Sequence, residues 1–557
     1  MFEEPTVLAL GSPDFRDSAL ATLAQSESAA AAWRQALQSD LAPALAGIGG
    51  DFAVAVRSAN GRTVLAVDRF AIHTLCWRVV NGELRFATRA DELADDDTGI
   101  DPQAIFDYLF FHAIPSPRTI FRGVWRLPPA HYLVFEQGQV TVAPYWTPEF
   151  TESDRRGFED QRQTFRDLLQ QAVARQLDGG TAACFLSGGT DSSTVAGMIG
   201  LASGQPAHTY SIGFEAQGYD EMEYARIAAR HFGTRHHEYY VTPDDLVRSI
   251  AHVAGHYDQP FGNSSALPAY YCALRAREDG VTKVLAGDGG DELFGGNTRY
   301  AKLRVFGWYE GVPAGLRSGI LEPLFERSPL GRAPLLRKGA SYISQAKVPM
   351  PDRMHMYNLL LRLGVDSVLE PGFLAQVDTQ GPLRQQRAVW AAAQTPSAVN
   401  RTLAYDWRYT LAETDLPKVS MTAQLAGVNV GFPMLDQALL DFSLALPADH
   451  KLRGLKLRWF FKEALRGFLP DEIIRKKKQG FGLPFGVWVV QHAALKALAV
   501  ESLSSLTQRG IVQSKFIHSL LNERLTEHPG YFGEMVWILM MLEQWLQRHA
   551  PEYRLRA

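Results

Sequence analysis

At 557 residues the chain exceeds what one hydrophobic core supports, so two or three domains are expected. A hydrophobic share of 46% and a charged share of 21% are those of a globular protein, and a net charge of −4 argues against charge-driven binding of nucleic acid. Three cysteines (Cys76, Cys184, Cys272) fit no zinc spacing, no apolar run is long enough to span a bilayer, and the start has no signal-peptide pattern, so a cytoplasmic enzyme is expected.

Residues 1–150 read as mostly β. Phe52–Val56 and Thr63–Val67 flank the turn Ser58-Ala59-Asn60-Gly61. A second hairpin pattern carries Cys76–Val80 and Leu84–Ala87 across Asn81-Gly82-Glu83. Between the hairpins lies Asp68-Arg69-Phe70-Ala71-Ile72-His73. With Gly49-Gly50-Asp51-Phe52-Ala53, this segment resembles the glutaminase domain of class B asparagine synthetases, and the resemblance implies an Ntn-hydrolase-like αββα sandwich.

The departures bear on activity. That family uses an N-terminal cysteine whose α-amine serves as base, whereas this chain begins Met1-Phe2-Glu3 and its first cysteine is Cys76. The stretch Ala19–Ala46, where the family carries a glutamine-binding Asn-Gly-Glu, is Ala-rich with a helical pattern. Asn81-Gly82-Glu83 follows the Asp-Arg-Phe segment instead of preceding it, and so does not replace that motif. Without a thiolate nucleophile no thioester forms, and glutamine hydrolysis is not expected. Cys76, on a strand beside Trp77, reads as buried rather than as a relocated nucleophile.

Ile100–Phe111 has a helical pattern. Arg118-Thr119-Ile120-Phe121 through Leu127-Pro128-Pro129-Ala130-His131 resembles the same family's Thr-Ile-Phe…Leu-Pro-Pro-Gly-His segment, which leads to a boundary here after Tyr145-Trp146. The second domain is expected over 155–557, where apolar strands alternate with helices and imply a parallel sheet.

Its first strong motif is Cys184-Phe185-Leu186-Ser187-Gly188-Gly189-Thr190-Asp191-Ser192-Ser193, a buried strand, a tight turn and a helix start. Adjacent glycines admit a ligand close to the backbone, and a helix N-terminus favours an anion. Asp191 cannot itself face phosphate, so a divalent cation between them is implied. No Walker lysine follows. Ser-Gly-Gly-x-Asp-Ser-Ser instead resembles the PP-loop of N-type ATP pyrophosphatases, which implies a doubly wound parallel sheet with extra helices, ATP and Mg²⁺. By that resemblance Leu186 and Ile212, with Gly213 near the end of the strand His208–Phe214, meet the adenine, while Ser187 through Ser193 cradle the phosphates.

His236-His237-Glu238 suggests metal, but neighbouring strand residues point to opposite faces, which favours a structural role. The second strong motif, Val284-Leu285-Ala286-Gly287-Asp288-Gly289-Gly290-Asp291-Glu292, crowds three carboxylates in a glycine-rich turn. Asp291 is the partner of Asp191 for Mg²⁺, Ala286 and Gly287 approach the nucleotide, and Asp288 is a base or substrate-facing acid. Asparagine synthetases show Gly-Glu-Gly-Ser-Asp-Glu here, so the acceptor is open. Further on, Asn429 and Gly431 replace the family's Glu and Arg, either a surface change or the loss of a carboxylate-recognising guanidinium.

Finally, Arg475-Lys476-Lys477-Lys478-Gln479-Gly480-Phe481 resembles the family's Lys-x-Gly-Phe segment. The resemblance implies that Lys478, assisted by Arg475, stabilises charge at the α-phosphate and on the acyl adenylate. Trp537–Trp545 reads as an apolar helix for the core or a homodimer contact. The whole resembles an asparagine-synthetase-like, AMP-forming amide ligase that joins a small-molecule or peptide carboxylate to an amine or ammonia. Ammonia from a separate glutaminase, a substrate-carrier protein as partner, and an inactive scaffold remain alternatives. Neither nucleic acid nor membrane is an expected partner.

Overall fold

Alternation in the N-terminal sequence builds two sheets, seen in a computed structural model that describes residues 6–38, 40–323, 325, 334–477, 480 and 482–555. The chain runs β1 (Thr6–Phe15), α1 (Ser18–Ser26), α2 (Ala29–Ala36), α3 (Leu41–Ala46), β2 (Ile48–Arg57) and β3 (Thr63–Val67). It continues through β4 (Cys76–Val80), β5 (Glu83–Ala87), α4 (Pro102–Phe111), β6 (Trp125–Arg126), β7 (His131–Glu136) and β8 (Gln139–Pro144). Strands β1-β2-β3-β7-β8 form one sheet and β5-β4-β6 the other. Period-two alternation sends Phe52, Val54 and Val56 toward Trp33 of α2. Ala53 and Ala55 face the opposite way, into a cluster with Leu75 and Leu84. Asn81 and Gly82 both have φ above zero, at 53° and 80°, which closes the β4–β5 hairpin in two residues.

The second region is an α/β unit. After α5 (Phe158–Gln176) come β9 (Ala183–Phe185), α6 (Thr190–Ser203), β10 (His208–Phe214), α7 (Met222–Phe232), β11 (Arg235–Val241), α8 (Pro243–His256) and α9 (Ala266–Glu278). Then follow β12 (Lys283–Leu285), α10 (Gly290–Phe294), α11 (Thr298–Glu310) and β13 (Asn429–Gly431). The five strands are parallel in the order β11-β10-β9-β12-β13. Helices α5, α6 and α7 cover one face; α8, α9 and the helix Leu416–Leu425 cover the other. The chain order reverses on either side of β9, so a crevice opens where the carboxyl ends of β9, β10 and β12 meet. The Phe165 ring lies 5.1–5.7 Å from Phe294, Phe442, Phe460 and Phe461, which ties α5 to α10 and to the helix carrying Phe460.

The apolar C-terminal helix, Pro529–His549, is core: Met535–Leu546 are buried, and Trp545 Nε1 donates to Tyr257 O at 2.9 Å. Among the described residues no helix is long and apolar enough to cross a membrane. All three cysteines are free and buried. The two regions are joined through Glu413, whose carboxylate accepts from Arg126 Nη2 at 2.5 Å, from Ser116 Oγ at 2.8 Å and from Arg408. Arg126 and Ser116 belong to the N-terminal region, Arg408 and Glu413 to the second.

Candidate active site

The loop after β9 turns back on itself. Leu186 N still bonds to Tyr210 O of β10 at 2.8 Å, and then Ser192 Oγ accepts from Ser187 N at 3.1 Å, so that α6 begins at once. Gly188, at φ 67°, passes so close to α7 that a Cβ there would lie 2.4 Å from Ala225 N; only glycine fits this turn. The amides of the first turn of α6 and the hydroxyls of Ser187 and Ser192 are thereby gathered at one end of a helix with its positive dipole end outward.

The loop after β12 meets this one edge to edge. A Cβ on Gly290 would collide with Asp191 Oδ1, so the approach of α10 to α6 also depends on a missing side chain. Asp191 and Asp291 then converge on Arg458, whose Nη1 lies 2.7 Å from each carboxylate and from Thr190 Oγ1, and whose Nη2 also donates to Asp191. Arg458 itself has left-handed backbone (φ 54°) at the start of the helix Trp459–Ala464. Burial opposes its charge, but the two aspartates outweigh that cost and raise its pKa further.

Asp288 borders the same crevice. Burial pushes its carboxyl up, and the Lys418 ammonium 3.5 Å away pulls it back. Lys418 also lies 3.0 Å from Asp415, and these two carboxylates overcome burial to raise its pKa. Lys418, Asp415, Asp191, Asp288 and Asp291 all border one cleft of about 840 Å³. Leu186, Ser187, Ser192, Ile212 and Gly287 border it too.

Other expected positions stand further off. Gly188, Gly189, Thr190 and Ser193 belong to the same loop but do not border the cleft; Ala286 is buried, and Gly213 is packed so tightly on Tyr240 that a Cβ would lie 2.6 Å from its ring. Arg475 is at the surface, 2.7 Å from Asp471, and does not border the cleft. Lys478 lies outside the described residues. Lys476, given no role from sequence, reaches the phosphate-loop side: its Nζ is 3.1 Å from Glu221, 3.3 Å from Gly188 O and 4.4 Å from the Tyr224 ring centroid. Sequence reasoning also missed Arg458 and Lys418. No local pattern marks Arg458.

A divalent cation fits the donor set in a limited way. Among the described residues no three His, Cys, Asp or Glu side chains gather as a ready-made cage. Asp191 and Asp291 supply two hard oxygen ligands within reach of one point, the arrangement that suits Mg²⁺ when phosphate oxygens and water complete its shell. His236 and His237 do diverge as expected: His236 bonds Thr209 at 3.0 Å and His237 lies 3.0 Å from Asp279.

The N-terminal motif is closed. Asp68 is 1% exposed and accepts from four amides of its own turn and β2, those of Phe70 (2.9 Å), Ile72 (3.3 Å), Phe52 (3.3 Å) and His73 (3.4 Å). Arg69 donates to Ile48 O and Ala46 O at 2.8 and 2.6 Å. Burial drives the Cys76 thiol far above its ordinary range. Asn429 is exposed, whereas a Cβ on Gly431 would meet Gln176 Oε1 at 2.2 Å. An arginine at 431 has no room unless Gln176 moves.

Comparison with known proteins gives consistent matches. Residues 164–547 match the family described as Asparagine synthase, and residues 22–146 the Glutamine amidotransferase domain. Asparagine synthetase (glutamine-hydrolyzing) 1 of Bacillus subtilis is 25% identical over 453 residues, covering 79% of this chain and 68% of that one. A putative asparagine synthetase (glutamine-hydrolyzing) of Mycobacterium bovis is 24% identical over 465 residues, 82% of this chain and 68% of its own. Amidase chyE of Penicillium rubens is 30% identical over 269 residues, 44% and 40% of the two chains.

Proposed function

The chain belongs to the asparagine synthase family, and from that premise we propose that it is an ATP-dependent, AMP- and pyrophosphate-forming amide ligase. A substrate carboxylate attacks the α-phosphorus of ATP and the bond to the β-phosphate breaks. An amine or ammonia then attacks the acyl carbon, AMP departs with the bonding electrons, and nitrogen loses a proton. The observation that carries this reading is the meeting of two glycine-rich loops, bearing Asp191 and Asp291, at the carboxyl ends of β9 and β12 beside one large cleft.

In this reading the loop from Ser187 to Ser193 holds the phosphates with backbone amides and hydroxyls, and Leu186 and Ile212 flank the adenine, with Gly213, Ala286 and Gly287 keeping the backbone close. Asp191 and Asp291 hold Mg²⁺, which when bound neutralises phosphate charge. Lys478 stabilises the negative charge that grows as pyrophosphate leaves. Asp288, with Lys418 beside it, faces the acyl substrate. Holding donor and nucleophile in one cleft supplies rate by proximity. Because Cys76, Cys184 and Cys272 are all buried with raised thiol pKa values, the chain takes nitrogen from an amine or ammonia rather than from glutamine.

The test is product analysis by ³¹P NMR, with ATP, a panel of carboxylates, and ammonia or simple amines. AMP and pyrophosphate in equal amounts, dependent on a carboxylate, are expected. ADP with inorganic phosphate overturns the reading, and glutamate released from glutamine overturns its nitrogen source.

A further inference from the structure

A second chamber, of about 160 Å³, adjoins the cleft, and Arg299 and Thr410 line both. Part of its wall is aromatic. The rings of Phe111 and Tyr409 stack 5.4 Å apart within 6° of parallel, and Tyr405 packs 4.9 Å from Tyr409. Phe111 comes from the last turn of α4, so the N-terminal region supplies part of the wall.

Two polar atoms of lining residues have no hydrogen-bond partner among the described residues: Tyr409 Oη and Gln386 Oε1. Both side chains are buried, at 8% and 1% exposure. Native proteins rarely leave such atoms unpaired, and a pair of them in one cavity marks a place where something else makes the bonds.

The surroundings select the chemistry of that occupant. His355 Nε2 is paired with Tyr405 Oη at 2.9 Å, and burial pushes its imidazole down to about 4, so it is neutral at pH 7. The charges that reach the chamber are already matched: Arg299 with Asp406 at 2.7 Å, and Glu413 with Arg126 and Arg408. An anion would find these guanidiniums engaged and would face the acceptor Gln386 Oε1; a cation would find Glu413 held by two arginines. A neutral group with a hydrogen-bond donor satisfies both orphaned oxygens, and a flat one matches the ring walls.

We propose that this chamber is a specificity subsite that takes the distal part of one ligated substrate, a neutral, flat or apolar group bearing an N–H or O–H donor such as a carboxamide or phenol. The subsite rests on the ligase reading for its place in the reaction, and it implies substrates larger than ammonia and a four-carbon amino acid.

Ligand-observed NMR on the full chain tests it directly, with benzamide and phenol as probes and benzoate and benzylammonium as their charged counterparts. The neutral probes are expected to bind and the charged ones to bind at least about tenfold more weakly. Tyr409→Phe and Gln386→Leu are expected to weaken benzamide about tenfold each, and Ala113→Leu to abolish its binding by filling the chamber. Tyr409→Phe removes a hydroxyl with no partner, so its thermal midpoint should equal or exceed that of the wild type, which separates lost binding from lost folding. No binding of benzamide or phenol, equal binding of benzoate, or binding indifferent to Tyr409→Phe and Gln386→Leu overturns the subsite.

Turnover then assigns the substrate. Carboxylic acids that carry a distal aromatic carboxamide or phenol and drive ATP–pyrophosphate exchange place the acyl donor in the chamber; amines with the same groups that speed only AMP release place the nucleophile there. Absence of carboxylate-dependent exchange together with intact benzamide binding refutes the ligase reading and leaves the chamber standing.

Discussion

Asp68 and Asp191 each stand in a loop that directly follows a buried strand, yet their surroundings differ. Asp68 spends its oxygens on four amides of the turn and strand it helps to shape. Asp191 sends its oxygens to Arg458, which it shares with Asp291 from another loop, and it borders a large cleft. A carboxylate absorbed by nearby backbone holds a local shape. One aimed at groups from distant parts of the chain pins separate segments together at the edge of the cleft.

The most severe way to probe this contrast is Arg458→Met. It leaves two carboxylates facing each other with their shared guanidinium removed, and the unfolding free energy should fall by about 3–5 kcal/mol in denaturant titrations without divalent cation. An unchanged midpoint would mean that the arginine is not the clasp described here. Next, Asp191→Asn should slow carboxylate-dependent pyrophosphate release on the order of 10³-fold, about 4 kcal/mol of barrier, while its circular dichroism stays that of the wild type. A loss under tenfold would put Asp191 on the same footing as Asp68.

Asp68 is tested through pH. Burial raises its carboxyl from 3.8 to about 6, against the pull of the Phe70 amide and the His73 charge. The native state therefore holds more protons than the unfolded one between those values, and stability falls as pH rises from about 4 through 6. Asp68→Asn does not titrate. The wild type should lose about 2 kcal/mol relative to this variant between pH 4 and pH 7, and a flat difference across that range would contradict the burial argument. The smallest effect belongs to Cys76→Ala: about 1 kcal/mol of stability from the small void, with pyrophosphate release unaltered.

Much of this was legible in the chain because local chemistry fixed it. The apolar run before Ser187, the adjacent glycines and the hydroxyls that close the turn specify strand, loop and helix within a dozen residues. The second hairpin was legible too, although the turn read as Asn81-Gly82-Glu83 is Asn81-Gly82 alone, because Glu83 already pairs with Val80. What stayed hidden depends on contacts between distant segments. Arg458 is 267 residues from Asp191, and nothing in Leu455-Lys456-Leu457-Arg458 announces a left-handed residue aimed at two aspartates. Gln386 stands in no motif, yet it lines the side chamber with Tyr409. The lysine run pointed to Lys478, which lies outside the described residues, and gave no sign that Lys476 reaches Gly188 O at 3.3 Å.

The knot at Glu413 bears on why the N-terminal region is there at all. Glu413 lies on the continuous helical stretch that carries Tyr409, Thr410, Asp415 and Lys418, and two of its three clasping side chains, Arg126 and Ser116, are supplied from the opposite half of the molecule. Stripping that half away would strand a carboxylate beside Arg408 alone and slacken the ledge on which the cleft and its side chamber rest. The amidotransferase-like portion thus braces, through Arg126 and Ser116, the helical stretch that lines the cleft.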